Sequence, residues 1–198
     1  MPDAYIYSGL TVSIIPEQLS EHVANNTLID VLAKFNPRRG DLFYIPSGRI
    51  HSLGAGNLVL EIQQTSDITY RVYDYNRTDF NGNKRMLHVE DAMAATDFRV
   101  HEDYMYHVEP LNNREKVLKE CPYFTTTLIS LTSAMRLPIA RYDSFRIIVA
   151  TKGQGTITDD NGNKADISQG HTLLVPASTK WVDIVPDGEL EVVTAYIQ

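Results

Sequence analysis

Gly40-Asp-Leu-Phe-Tyr-Ile-Pro46-Ser-Gly48-Arg-Ile-His51 is the stretch on which the fold reading turns. It opens on a turn glycine, runs through an apolar and aromatic segment, stops at Pro46 and turns again at Gly48 before delivering His51. Proline lacks a backbone donor and so ends a strand's ladder, whereas glycine accepts the left-handed conformations of tight turns. The pattern predicts a strand over 41–46 and a turn that sends the histidine off in a new direction. A fainter copy stands at Gly170-His-Thr-Leu-Leu-Val-Pro176-Ala-Ser-Thr-Lys-Trp181, with its proline again six positions after the glycine. Two copies of one β-unit are expected.

Reading outward, residues 3–10 (DAYIYSGL) form a strand pattern, rich in tyrosine and β-branched residues. Pro16 to Phe35 places Leu19, Val23, Leu28, Ile29 and Leu32 at helical spacing, with a break near Asn25-Asn26. Strands are expected over 57–64 and 69–75, a turn at Asn81-Gly82-Asn83, a short helix over 89–96 and a polar helical stretch over 111–120. The second block predicts strands over 125–131, 145–150, 155–159, 172–175, 182–185 and 192–197, with a hairpin turn at Asn161-Gly162. Many short strands punctuated by Gly, Pro and Asn, with few helices, argue for sandwiches or barrels. The expected class is mainly β, with a unit at 1–107 carrying a helical insertion at about 16–35, and a second unit at 108–198.

The composition is that of a globular chain: 43% of the 198 residues are apolar and 22% are charged. A net charge of −7 argues against a nucleic-acid partner, although a local arginine can still draw a small anion into a pocket. No apolar run approaches the roughly 20 residues of a membrane helix, and the first residues carry no signal-peptide pattern. A cytoplasmic protein is therefore expected. Cys121 is the single cysteine, which rules out an internal disulfide.

The spacing Gly40, Pro46, Gly48, His51 and Asn57 resembles the second signature of cupin (jelly-roll) barrels, in which the turn points the histidine into the barrel. A divalent metal wants imidazole and carboxylate ligands converging from different strands, which makes His51 a metal-ligand candidate. The competing reading is a hydrogen-bonded structural histidine beside a turn. The run from His51 through Glu61-Ile-Gln-Gln-Thr-Ser66-Asp67-Ile-Thr-Tyr-Arg71, continued by Val-Tyr-Asp-Tyr-Asn-Arg77, resembles the short bacterial branch of the type I mannose-6-phosphate isomerases. The resemblance extends along the whole chain.

It implies two cupin-type barrels and a metal-assisted interconversion of mannose 6-phosphate and fructose 6-phosphate through a cis-enediol, with zinc as cofactor. On the resemblance His51 matches a zinc ligand. Arg71 matches an active-site arginine that binds substrate and serves catalysis, an always-charged fork suited to an enediolate or phosphate oxygen. Asp67 matches the aspartate four residues earlier, which either orients Arg71 or moves a proton; after Ser66 it also suits a turn. Glu61, on the strand face of Val59 and Gln63 by two-residue alternation, is a substrate-binding candidate or a paired structural carboxylate. His22, His88, His101, His107 and His171 have no ligand spacing and read as ordinary residues.

The chain departs from the family in two places. Neither a Gln-x-His pair nor a Lys-Pro-Glu segment precedes Gly40, so the resemblance implies a carboxyl-terminal portion, a first barrel incomplete on its amino-terminal side, and weak or no activity for these residues alone. In the second block Arg146 stands at the glutamate slot of the first cupin signature and Trp181 at the histidine slot of the second, so a barrel without metal ligands is expected. There, Arg141, Arg146 and Lys180 are either an anion pocket or solvated charges. Unpaired sheet edges on the first unit suggest a homodimer formed by strand addition. A non-catalytic sugar- or sugar-phosphate-binding cupin is the alternative function, and another cupin enzyme built on His51 is a third.

Overall fold

The computed structural model describes residues 4–66, 68–74, 77–141 and 143–197. The chain divides into two compact units, one of Met1–Glu61 with Thr65–His107, the other of Ile62–Gln64 with Val108–Gln198. The fold is mainly β, with two short α-helices among the described residues.

In the first unit β1 (Ile6–Leu10) is the middle strand of three, flanked by β2 (Leu32–Phe35) and β4 (His51–Leu53), both antiparallel to it. β3 (Asp41–Leu42) pairs separately with β5 (Tyr106–His107). Between β1 and β2 lie α1 (Pro16–Ala24) and a 3-10 turn over Leu28–Val31. Pro16 starts α1 where its missing donor costs nothing, and the Ile15 amide donates to Gln18 Oε1 at 3.0 Å. Leu19 and Leu28, both fully buried, join Tyr7, Leu10, Ile14, Val31 and Leu32 in one apolar core. The predicted insertion therefore does break near Asn25-Asn26, but its last four residues are strand. The pairing of Ile6 with Phe35 and of Tyr7 with Lys34 outweighs helical spacing there.

Downstream, α2 (Val89–Ala95) forms where the short helix was expected. The expected strands over 57–64 and 69–75 are irregular backbone among the described residues. The turn at Asn81-Gly82-Asn83 is built as expected: Asp79 Oδ1 accepts from the amides of Asn81 (2.8 Å) and Asn83 (2.9 Å). The same Asp-x-Asn-Gly-Asn arrangement recurs at Asp159, whose Oδ1 accepts from Asn161 (2.9 Å) and Asn163 (2.8 Å).

The second unit is a jelly-roll folded around two long strands, β9 (Arg146–Asp159) and β12 (Trp181–Tyr196), which pair with each other along nearly their full lengths. The first half of β9 also pairs with β11 (Thr172–Val175), and its second half pairs with β10 (Lys164–Ser168). The first half of β12 takes β8 (Met135–Pro138), and its second half takes β7 (Thr125–Leu131), itself paired to β6 (Arg114–Glu120). Each long strand thus serves two layers. Ile129, Leu131, Ile148, Ala150, Leu190 and Val192 from one layer meet Leu137, Ile157, Ile167, Val182 and Ile184 from the other in a single core.

Two expected strand pairs, 145–150 with 155–159 and 182–185 with 192–197, are therefore halves of single bent strands. The interruption read as a break is the bend, where the register shifts between Pro186 and Leu190. The expected helix over 111–120 is instead β6. Arg-Glu-Lys-Val-Leu-Lys-Glu is a good helical sequence, but hairpin pairing to β7 overrides propensity. Gly153 sits in the bend at φ +73, and a Cβ there would lie 1.9 Å from the Glu189 carbonyl oxygen. Gly153→Ala is expected to cost at least about 1–3 kcal/mol from the strained conformation alone. A lowered urea midpoint in the variant checks this, and an unchanged midpoint contradicts it.

No helix among the described residues is long and apolar enough to cross a membrane.

Candidate functional site

The Pro46–Arg49 turn closes with the Arg49 amide donating to the Pro46 carbonyl at 3.2 Å. Gly48 adopts φ +85, and a Cβ on it would lie 2.7 Å from the Ala95 carbonyl oxygen, so the glycine is required there for both conformation and space. The Gly48 carbonyl accepts from the Asp97 amide at 2.9 Å, which ties the turn to the end of α2. The Gly9 amide donates to the Ile50 carbonyl at 2.8 Å, tying it also to β1. His51 leaves this turn as the first residue of β4 and is exposed.

Its ring is oriented from behind. His51 Nδ1 lies 3.0 Å from the Arg49 carbonyl oxygen, which can only accept, so Nδ1 carries the proton and the lone pair sits on Nε2. This is the arrangement by which a backbone carbonyl prepares an imidazole to act as ligand or base. Directly opposite His51 in the β1–β4 ladder is Ser8. Facing residues of antiparallel strands project to the same side, so the two side chains share a face. The Ser8 hydroxyl is fully buried and has no hydrogen-bond partner among the described residues. Ser8 stands at the register shift of β1, and nothing in the sequence pattern singled it out.

Arg49 holds the turn. Its guanidinium donates to the carbonyls of Tyr44 (2.9 Å) and Asp103 (3.2 Å) and to Asp103 Oδ1 (2.9 Å), and lies 4.9 Å from the Tyr104 ring centroid. The Tyr104 hydroxyl donates to the Leu10 carbonyl at 3.0 Å and accepts from the Leu10 and His101 amides. Partial burial pushes the Asp103 carboxyl up, but Arg49 outweighs it and the net shift is downward.

Beside this clamp, Asp97 is gripped by the Arg99 fork at 2.9 Å on each oxygen and by His101 Nε2 at 2.9 Å. These groups, with Gly9, Pro46, Ser47 and Tyr104, line a small cavity. The Arg99 side chain, then its amide, hold the Asp97 carboxyl far below the ordinary carboxylate range. A depressed carboxylate stabilises the fold above its unfolded pKa of about 3.9, and that contribution is lost as pH falls through the folded value. Between about pH 4 and pH 2 the first unit is therefore expected to lose stability more steeply in the wild type than in Asp97→Asn. Urea titrations across that range check this, and parallel slopes contradict it.

Arg71 lies in irregular backbone, half-buried, with its amide donating to His88 Nδ1 at 3.2 Å and its carbonyl accepting from the His88 amide at 2.8 Å. That acceptor role puts the His88 proton on Nε2, so His88 has a defined structural task. Arg71 also helps to lower the carboxyl of Asp74, chiefly held down by Arg77. Asp74 is buried, ion-paired to Arg77 and, at 3.8 Å, to Arg85. Glu61 is exposed in a loop, not on a strand face. Asp67 lies outside the described residues. No hydrogen bond or ion pair joins His51, Glu61 and Arg71 to one another among the described residues.

Those residues hold no group of three or more His, Cys, Asp or Glu side chains able to grip a metal ion. A divalent metal centre needs several converging ligands, and His51 supplies a single imidazole. The residues present do not fit a zinc centre by themselves.

In the second unit Arg146 points inward with Ile148 and Ala150, and is almost completely buried. It is ion-paired to Glu115, donates to Thr194 Oγ1 at 2.9 Å and lies 4.7 Å from the Tyr196 ring centroid. Thr127 bridges Glu115 and Thr194 at 2.8 Å each. Where the cupin signature has a glutamate ligand, this unit has a neutralised ion pair. Both readings of Arg146 are therefore corrected: Glu115 already occupies its charge, and the side chain is buried instead of solvated.

A jelly-roll unit preceded by a second β-unit with an exposed histidine after a Pro-x-Gly turn defines a class of double-unit β-proteins. Over the whole of this chain and 62% of its own, the crystal structure of the mannose 6-phosphate isomerase from Bacillus subtilis superposes with a TM-score of 0.78 at 24% identity, which establishes the fold. In sequence, the mannose-6-phosphate isomerase of Streptococcus mutans is 31% identical over 181 residues, 91% of this chain and 56% of its own length. Mannose-6-phosphate isomerase ManA of Bacillus subtilis is 33% identical over 141 residues, 70% of this chain and 44% of its own. No family model matches the chain. The chain belongs to the mannose-6-phosphate isomerase family, and it spans about half the length of the curated relatives it matches.

Proposed function

We propose that this chain carries part of an aldose–ketose isomerase that interconverts mannose 6-phosphate and fructose 6-phosphate. The observation that carries the reading is the 31% identity, over 91% of the chain, to a protein named mannose-6-phosphate isomerase. In the proposed reaction the proton on C2 of the open-chain aldose is removed, giving a cis-enediol, and a proton is delivered to C1. The hydroxyl proton of O2 passes to O1, so an aldehyde becomes a hydroxymethyl group and C2 becomes the ketone. Atoms and electrons balance without a redox partner.

Arg71 is assigned to the developing enediolate oxygen, where a fixed guanidinium stabilises charge that appears only in the transition state. Asp67 is assigned to proton movement or to orienting Arg71. Glu61 is assigned to a sugar hydroxyl. His51, with its Nε2 lone pair directed away from the turn, is assigned as one ligand of the metal the resemblance implies, zinc. The remaining ligands are not among the described residues, so no step is routed through the metal.

The test is a coupled assay for fructose 6-phosphate formation from mannose 6-phosphate. It is run on this chain and on a polypeptide carrying the same sequence at its relatives' length, each with zinc supplied. The longer polypeptide is expected to turn over at an ordinary enzymatic rate, about 1–10³ per second, and this chain alone far more slowly. An inactive longer polypeptide removes the reading and favours a sugar-phosphate-binding protein.

A further inference from the structure

We infer that Arg49 is a positioning residue for His51: its buried guanidinium fixes the carbonyl that selects the ring's tautomer and aims Nε2 out of the turn. The inference rests on the reading of His51 as a site residue, but it concerns a property of the ring that exists without turnover.

The chain of contacts is short. Arg49 is 8% exposed, and its side chain is held by three hydrogen bonds, to the Tyr44 carbonyl and to the carbonyl and carboxylate of Asp103. Tyr44 precedes the turn, and Asp103 lies 54 positions further along the chain. The same residue's amide closes the turn onto Pro46, and its own carbonyl receives His51 Nδ1–H. Side chain, amide and carbonyl of one residue are thus all committed, which leaves the peptide plane behind His51 little room to rotate.

Burying a charged guanidinium is a poor route to stability alone, because an apolar side chain of similar volume does as well or better. What the guanidinium adds here is direction. It reaches the carbonyls of two separate segments and anchors the turn between them. Without that anchor the Arg49 carbonyl loses its fixed aim, and an unrestrained neutral imidazole prefers the Nε2–H form, which hides the lone pair from the open face. The rest of the ladder does not supply the same restraint, since the Gly9 amide holds the Ile50 carbonyl, one residue beyond.

Long-range 15N–1H NMR of the imidazole near pH 8 reads the tautomer directly, with His51 assigned by the signals lost in His51→Gln. In the wild type Nδ1 is expected to carry the proton. In Arg49→Met the ratio is expected to shift toward Nε2–H by about two- to tenfold, the range one net hydrogen bond supports. The amide signals of Ile6–Leu10 and Leu32–Phe35 should stay in place and report an intact sheet. An unchanged ratio in the folded variant overturns the inference.

Should Arg49→Met not fold, Asp103→Asn removes the charged partner while leaving the two carbonyl contacts. It is expected to shift the ratio in the same direction by a smaller factor, and an unchanged ratio there overturns the inference equally. Reactivity of His51 toward diethyl pyrocarbonate, followed by peptide mass spectrometry, should change in step with the tautomer. A negative isomerase assay removes the proposed function but leaves this result standing.

Discussion

Arg71→Ala, placed in a polypeptide that carries this sequence at the length of its relatives, is expected to lower kcat for mannose 6-phosphate by about 10²- to 10³-fold. The loss should fall on kcat more than on KM, because a guanidinium on the enediolate acts mainly once charge has developed. Stability should hardly change. The backbone of Arg71, which exchanges hydrogen bonds with His88, is untouched by the substitution, and its side chain is only half-buried. A change within about 0.5 kcal/mol is expected for such a position. Coupled kinetics and a urea curve on the same preparation separate the two effects. A rate within twofold of wild type removes Arg71 from the site, and a rate loss matched by unfolding assigns it a structural part instead.

The second large effect belongs to the second unit. Arg146→Met removes a guanidinium that neutralises Glu115 and bonds Thr194 inside the jelly-roll. Stripping one member from a buried pair typically costs about 3–5 kcal/mol. Glu115 keeps part of its side chain in solvent, at 30% exposure, so the expected cost here is lower, about 2–3 kcal/mol. That lowers the midpoint for melting of the unit by roughly 8–24 °C. Pairing it with Glu115→Leu should recover a large share of the loss, because the stranded charge is then gone and the two substitutions share one network. If the single variants add without recovery, the network reading is wrong, even though the contacts are present.

How much of this was legible in the sequence differs between the two halves. The strand of residues 125–131 was read to the residue because β-branched and apolar positions run unbroken between turns, and 172–175 likewise. β6 was misread because its charged residues favour helix, and only the partner strand, not visible locally, makes it a strand. β9 and β12 were each read as two strands because glycine and proline mark a bend and an end with the same residues. At the site, the Gly-Pro-Gly-His spacing singled out His51 because the turn's needs are local: a proline stop, and a glycine where a Cβ would strike the Ala95 carbonyl.

The clamp behind His51 was invisible by comparison. Arg49 and Asp103 are 54 residues apart, and no spacing rule joins an arginine to a distant aspartate. His101 has no ligand spacing in the sequence, yet it closes on Asp97 four residues earlier, a pairing that Asp-x-Arg-x-His offers but does not demand. Ser8 carries no signal in a one-dimensional reading, because its interest lies in being buried, unpartnered and opposite His51.

The proposed isomerisation requires a proton to leave C2 of a hexose phosphate. The direct measurement incubates mannose 6-phosphate in D2O with the polypeptide of relatives' length and follows the C1 and C2 positions by 1H NMR. Deuterium at C1 of the fructose 6-phosphate formed, together with loss of the C2 proton from recovered mannose 6-phosphate, is the predicted result. Both signals should be strongly reduced in Arg71→Ala. Unlabelled substrate recovered intact after long incubation, with no ketose formed, would contradict the isomerase reading.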